Sequence, residues 1–393
     1  IGLADDRSGG AGAGAAAEAI AARLDGLDRS DGAGDPEELI DALGTIAHPL
    51  GAPPLVRLLV AVPAGKEAEV APLVDPALDA VLAILRDRGA RPRALPDGRT
   101  RQRLRDELAL AHLGDLARSP LAAVRLRAAA ALGDVDARGA EDILARLLTD
   151  RDPAVRVAAG EALALRAEYV PGATLTALES ALRGGRRELV LPAALGLAAR
   201  KRAEAFQPLL LVAKAGEPDE RARALVALGS LGDRRALDHL LPLLDPAPDD
   251  EAGRALTPAA AEALGRLLPS LDADTAADLR ARLERLATSA AGEVRLRALT
   301  GLRYAGDLAV VERVAADRET RSEVRVHAAE QLGLAAAPAS EPVLAELLSD
   351  DDDDVREAAL GALAKVVGGD RTRVSLHGLA ARHDARRSPR RRA

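Results

Sequence analysis

The sequence predicts an all-α fold, an α-α superhelix of stacked helix-turn-helix repeats, and three observations carry that prediction. Aromatic residues make up 1% of the 393-residue chain, so a core must be assembled from Ala, Leu and Val. That suits closely packed helices far better than strands, which favour β-branched and aromatic side chains. A ten-residue pattern recurs, with copies starting at Val124, Val155, Arg187, Glu220, Leu256, Val294, Val324 and Val355. Within a copy the apolar residues fall on one helical face, as at Val155, Ala159, Ala162 and Leu163 or Val355, Ala359, Ala362 and Leu363.

Each repeat is read in the same way. Successive starts lie 31, 32, 33, 36, 38, 30 and 31 residues apart, and five of the eight begin Val-Arg, which fixes the register. A short break with Gly and Asp follows, as in Leu231 to Arg235. A second apolar pattern then appears, for example Ile143, Leu144, Leu147 and Leu148, or Val343, Leu344, Leu347 and Leu348. Neither helix of such a pair can bury its stripe alone, so the pairs must stack on one another.

The pattern D-x-x-V-R-x-x-A-A-x-A-L-G with a leucine-rich second helix resembles HEAT repeats. More narrowly, it is similar to the short bacterial kind found in phycobilin lyases, because the period is shorter than the roughly 40–47 residues usual for HEAT or armadillo repeats. The resemblance covers 119–368, giving eight repeats. It implies an armadillo-type α-solenoid that binds a protein on its concave face.

Upstream the signal weakens. Residues 35–118 read as divergent helical repeats or an N-terminal cap: Asp35 to Val62 has the shape of an irregular repeat, and Glu69 to Gly89 and Arg101 to Leu116 read as helices. Arg88 to Arg101 reads as a loop from its Pro and Gly, and Pro246 to Pro258 as a lengthened turn. Residues 1–34 are Gly/Ala-rich and expected to be disordered. Residues 369–393 form a basic tail, also expected to be disordered. Its last 23 residues hold eight Arg and one Asp, which leaves a net −14 on the rest of a chain whose total is −7.

Composition limits the function classes. Without Cys there are no disulfides, thiolate metal sites or Cys nucleophile. No apolar run reaches the roughly 18 residues of a membrane span, and the first residues lack a signal peptide's basic start and apolar stretch, so a cytoplasmic location is the expectation. An acidic body opposes phosphate binding, so nucleic acid is an expected partner only for the tail.

Candidate residues divide into two sets. Arg125, Arg156, Arg221, Arg295, Arg325 and Arg356 each stand one place after a repeat start. They could line an anion-binding stripe, but the reading adopted is a structural ladder. In HEAT proteins an Arg and an Asp at such positions join stacked repeats, which the resemblance carries onto the turn aspartates Asp134, Asp233 and Asp307 or the pre-helix aspartates Asp152 and Asp219. The second set comprises the mixed charges of the second helices: Asp142, Arg146, Glu179, Arg183, Asp238, His239, Arg280 and Glu284. These are expected to line the concave face and to bind a protein partner.

No catalytic constellation stands out, so no enzyme, metal or cofactor is expected. Asp350 to Asp354 lacks the spacing, turn Gly and distal Glu of an EF-hand and reads as helix capping. His327 and Glu330 share a helix face, yet the chain has no His-Glu dipeptide of the kind the HEAT-like di-iron hydroxylases use. A phycobilin lyase-like activity is the alternative the repeat subclass implies, although three aromatic residues offer little with which to grip a tetrapyrrole.

Overall fold

The computed structural model describes residues 15–21, 36–46, 49–62, 67–86, 98–135, 139–166, 172–245 and 251–367. Among them every regular element is a helix, and there is no strand. The chain divides into two compact units, one ending at Arg200 and one beginning at Lys201.

In the first unit, α1 (Pro36–Ile46) and α2 (Ala52–Val60) pack on α3 (Glu67–Arg86). Next come α4 (Gly98–Leu116), α5 (Ala122–Gly133), α6 (Ala140–Leu147), α7 (Pro153–Arg166), α8 (Ala173–Arg183) and α9 (Arg187–Ala199). The helices that carry the repeated pattern lie side by side, α5 on α7 and α7 on α9.

The second unit runs through α10 (Phe206–Ala215), α11 (Pro218–Leu231), α12 (Leu237–Leu240), α13 (Glu251–Leu267) and α14 (Ala273–Ser289). It continues with α15 (Gly292–Ala305), α16 (Leu308–Ala316), α17 (Ser322–Ala335), α18 (Glu341–Leu347) and α19 (Asp353–Val367). Here α11, α13, α15, α17 and α19 pack in succession, with the second helices α14, α16 and α18 against them and against one another.

The repeated residues explain the packing. Val124, Ala128, Ala131 and Leu132 are buried, as are their counterparts Val355, Ala359, Ala362 and Leu363. Burial extends further round each first helix than the four-residue stripe, taking in Ala129, Leu225, Ala261, Leu299 and Ala329. A first helix is covered on two sides, by a second helix and by neighbouring first helices. Glycine sets the distance between first helices. A Cβ on Gly333 would lie 2.7 Å from Ala362 Cα, and one on Gly229 would strike the Ala263 carbonyl. These glycines admit a backbone where a side chain could not fit.

Local signals set the ends. Asp152 Oδ1 accepts from the amides of Ala154 (2.8 Å) and Val155 (3.4 Å), and Asp352 Oδ1 from those of Asp354 (2.9 Å) and Val355 (3.3 Å). The helices they cap therefore start two residues before Val-Arg. A capping box of Glu217 and Glu220 opens α11, and Gly232 closes it at a φ of 75°.

Three expectations need correction. Residues 15–21 are helical rather than part of a disordered segment, because AAAEAIA consists mostly of the best helix former. The loop expected through Arg101 gives way at Gly98, where α4 begins. The turn expected through Pro258 is helical from Glu251 onward, since α13 carries Pro258 within it. The hydroxyl of Thr257 donates there to the carbonyls of Leu243 (2.8 Å) and Gly253 (3.4 Å). The basic tail lies outside the described residues.

Candidate interaction surface

The Val-Arg arginines come first, because their bonds decide which residues remain for binding. Arg125 places Nε and Nη2 on Asp150 Oδ2 and Oδ1, both at 2.8 Å, and Nη1 on the carbonyls of Ser119 (3.0 Å) and Pro120 (2.9 Å). Arg156 reaches the Asp150 carbonyl at 2.8 Å and the Glu188 carboxylate at 3.0 Å. Each guanidinium thus joins the loop before its own helix to a carboxylate further along the chain, Arg125 at the end of its own repeat and Arg156 at the start of the next.

The second unit repeats the device. Arg295 joins the Ala287 carbonyl (2.9 Å) to Thr320 Oγ1 (3.1 Å). Arg325 joins the Thr320 carbonyl to Asp350, at 3.2 Å and 2.7 Å. Arg356 returns to the Asp350 carbonyl at 2.8 Å. In α11, Arg221 donates to the Ala213 carbonyl at 3.1 Å. Arg125 and Arg325 are buried, and their hydrogen bonds to carboxylates are the charge-assisted, bidentate kind. Asp150 is held below the ordinary carboxylate range by the Arg125 hydrogen bonds. At Asp350 burial pushes the carboxyl up, and the Arg325 hydrogen bonds, the Asp352 amide and the charges of Arg325 and Arg318 together bring it below its ordinary value.

The acidic half of the ladder differs from the expectation. The carboxylates that Arg125 and Arg325 hold are Asp150 and Asp350, in the loops before the next first helices. Asp152 is spent on a helix cap. Asp233 accepts from Arg235 (3.0 Å), and Asp307 pairs with Arg280 at 2.5 Å. Asp134 is exposed at the end of α5, where it lines a shallow cavity of about 280 Å³ with Asp79 and Arg127. Asp219 lies in the first turn of α11. The reason is geometric: a guanidinium in the first turn of its helix points back to the preceding loop, whereas the turn aspartates sit at the helix's opposite end.

All eight residues of the second set lie on second helices. Asp142, Arg146, Arg183, Asp238 and Arg280 are exposed, while Glu179, His239 and Glu284 are half-buried. Glu179 and Arg183 pair weakly along α8 at 3.9 Å. Glu284 on α14 pairs with Arg313 on α16. The Arg280–Asp307 pair unites a residue expected to bind with one expected to brace.

The remaining candidates have local partners. Within the aspartate run, Asp350 is taken by Arg325, Asp353 by Arg356 and Asp351 by Arg318 at 3.6 Å. His327 Nε2 lies 3.0 Å from Thr300 Oγ1, and burial pushes its pKa down. Among the described residues no three His, Asp or Glu side chains gather as metal ligands, and no helix is long and apolar enough to cross a membrane.

The sequence reading missed two features. Arg166, at the end of α7, forms a buried pair with Glu141 at the start of α6. Tyr304 lies between Arg266 and Arg303, whose guanidinium carbons stand 3.5 and 3.8 Å from the ring centre. Glu141, Arg166, Arg266 and Tyr304 lie outside the ten-residue pattern, and Arg303 stands where most copies have Gly, so the periodicity gave no signal.

Paired helices, first helices in close succession and a ladder of arginines define a helical-repeat protein. The family model for HEAT repeats matches residues 110–195 and 313–393, so those segments are similar to HEAT repeats. Among solved structures, a Kap95:Nup1 complex is 12% identical over 93% of this chain and 53% of that one, with a TM-score of 0.52. Importin beta is 14% identical over 94% and 51%, at 0.44, and an engineered protein is 22% identical over 89% and 99%, at 0.37. The chain spans about half the length of the Kap95:Nup1 and importin beta chains it matches. The fold is all-helical among the described residues and similar to that of the Kap95:Nup1 structure. No curated protein matches the chain.

Proposed function

We propose that this protein is an interaction scaffold that binds a protein partner through the exposed, mixed-charge side chains of its second helices. One observation carries the reading. The regular residues of the repeat are committed to the stack, whereas Asp142, Arg146, Arg183 and Asp238 project from the second helices into solvent. Mixed-sign polar side chains of this sort suit the rim of a protein interface better than a phosphate backbone. The Kap95:Nup1 complex, a protein of similar fold held with a partner, agrees with this use of the fold. Cytoplasmic residence and membership of the short bacterial repeat subclass form part of the same proposal.

The test is affinity capture with the whole chain beside two variants, Arg146→Glu/Arg183→Glu and Arg118→Glu/Arg151→Glu. The second variant alters exposed loop arginines outside the second helices. A partner lost with the first variant and kept with the second supports the proposal. A partner bound equally by the wild type and the first variant removes the second helices of the first unit as its site.

A further inference from the structure

The last helix described, α19, presents to solvent a position that its counterparts bury. The residue five places after the repeat start is Leu225, Ala261, Leu299 and Ala329 in the preceding repeats of the second unit, and all four are buried. In α19 it is Leu360, which is 43% exposed. Beside it, a Cβ on Gly361 would meet nothing within 4 Å, whereas Gly333 of α17 lies tight against Ala362. Glu357, Ala364 and Lys365 are exposed as well. At about 100° per residue, these five positions share an arc of about 140°.

The order of charge on this face names its occupant. Glu357 stands four residues before Gly361 and Lys365 four residues after it. A copy of α19 laid antiparallel, with its Gly361 over this one, sets Glu357 of each chain opposite Lys365 of the other. Gly361 and Ala364 let the backbones approach at the centre, and Leu360 is covered from both sides. Two-fold symmetry needs such a self-complementary patch. We infer that the α19 face joins two copies of this chain, through Leu360, Gly361 and Ala364 with reciprocal Glu357–Lys365 pairs. A single helix pair is a small contact, so the dimer is a reversible one.

The experiment is sedimentation velocity on the full chain over a concentration series. It compares wild type, Glu357→Lys, Lys365→Glu and a one-to-one mixture of the two variants. Both side chains are exposed and eight residues apart, so neither substitution disturbs the fold, which far-UV circular dichroism verifies. Each variant alone opposes like charges twice and weakens association by about tenfold or more. The mixture restores it, because one chain then carries two lysines and the other two glutamates. Three results overturn the inference: a monomer at every concentration, single variants that associate as wild type does, or association that appears only after residues 368–393 are removed. The last would assign the face to the chain's own C-terminal segment.

Discussion

Arg325 and Asp350 form a two-pronged ion pair, Nε to Oδ2 at 3.2 Å and Nη2 to Oδ1 at 2.7 Å, with both side chains buried. The same guanidinium donates to the Thr320 carbonyl, and the Asp350 carbonyl accepts from Arg356. Asp350 thus receives two arginines, its own repeat's on the side chain and the next repeat's on the backbone. Arg125, Asp150 and Arg156 reproduce the arrangement in the first unit. Loops that would otherwise leave carbonyls unsatisfied are tied at a fixed spacing, which holds successive first helices in register.

Breaking this pair is expected to be costly. Arg325→Ala leaves a buried carboxylate without its cation, at about 3 kcal/mol, and Asp350→Ala leaves the guanidinium. The double variant should lose less than the two single losses together, because neither charge is then stranded. Urea unfolding of the four proteins measures the coupling, and strict additivity would mean that the pair contributes nothing of its own.

Asp150 and Asp350 also set an acid limit. Both carboxyls are held below their ordinary value in the folded chain, so the unfolded chain binds protons more readily. Their contribution is fully present above the unfolded carboxylate pKa of about 3.9 and is lost as pH falls through the lower folded values. Melting temperature should therefore drop steeply below about pH 4. The drop should be shallower in Asp150→Asn/Asp350→Asn, which begins from a lower melting temperature at neutral pH.

The parts of this molecule legible in its sequence are those that recur. Val155, Ala159, Ala162 and Leu163 repeat in kind, and a face that repeats can be recognised as the one that stacks. The arginine after six of the eight starts was equally plain, but its partner was not. Asp150 lies 25 residues beyond Arg125, and only the turn between two helices brings them together. Pro258 misled because proline usually breaks a helix, and α13 accommodates it. The second-helix charges differ from repeat to repeat, so periodicity locates them without ranking them.

Close first-helix packing yields a prediction about cooperativity. A Cβ on Gly229 would strike the Ala263 carbonyl, and backbone yields less easily than a side chain. Gly229→Val should cost about 3 kcal/mol and loosen the second unit. Ala159→Asp, a charge at a fully buried position of α7, should loosen the first. Hydrogen exchange resolves the two: protection is expected to fall around the substituted helix and persist in distant repeats, as nearest-neighbour stacking requires. A uniform loss across both units would show a single cooperative body instead.

His327 gives a second, separate pH dependence. It lies on α17 with its ring against Thr300 of α15 at 3.0 Å, and burial lowers its pKa, outweighing the nearby carboxylates of Glu330 and Glu293. Arg297 opposes the charged form too. The folded chain therefore holds this imidazole neutral at a pH where the unfolded chain has begun to protonate it. With the folded pKa below the unfolded one, its contribution is complete above the unfolded value of about 6.5 and declines as pH falls through it. Between about pH 7 and 5 the wild type should lose melting temperature that His327→Gln does not. This window lies above the one governed by Asp150 and Asp350, so one pH series separates the two. Identical slopes for wild type and His327→Gln there would show that the ring titrates alike in both states.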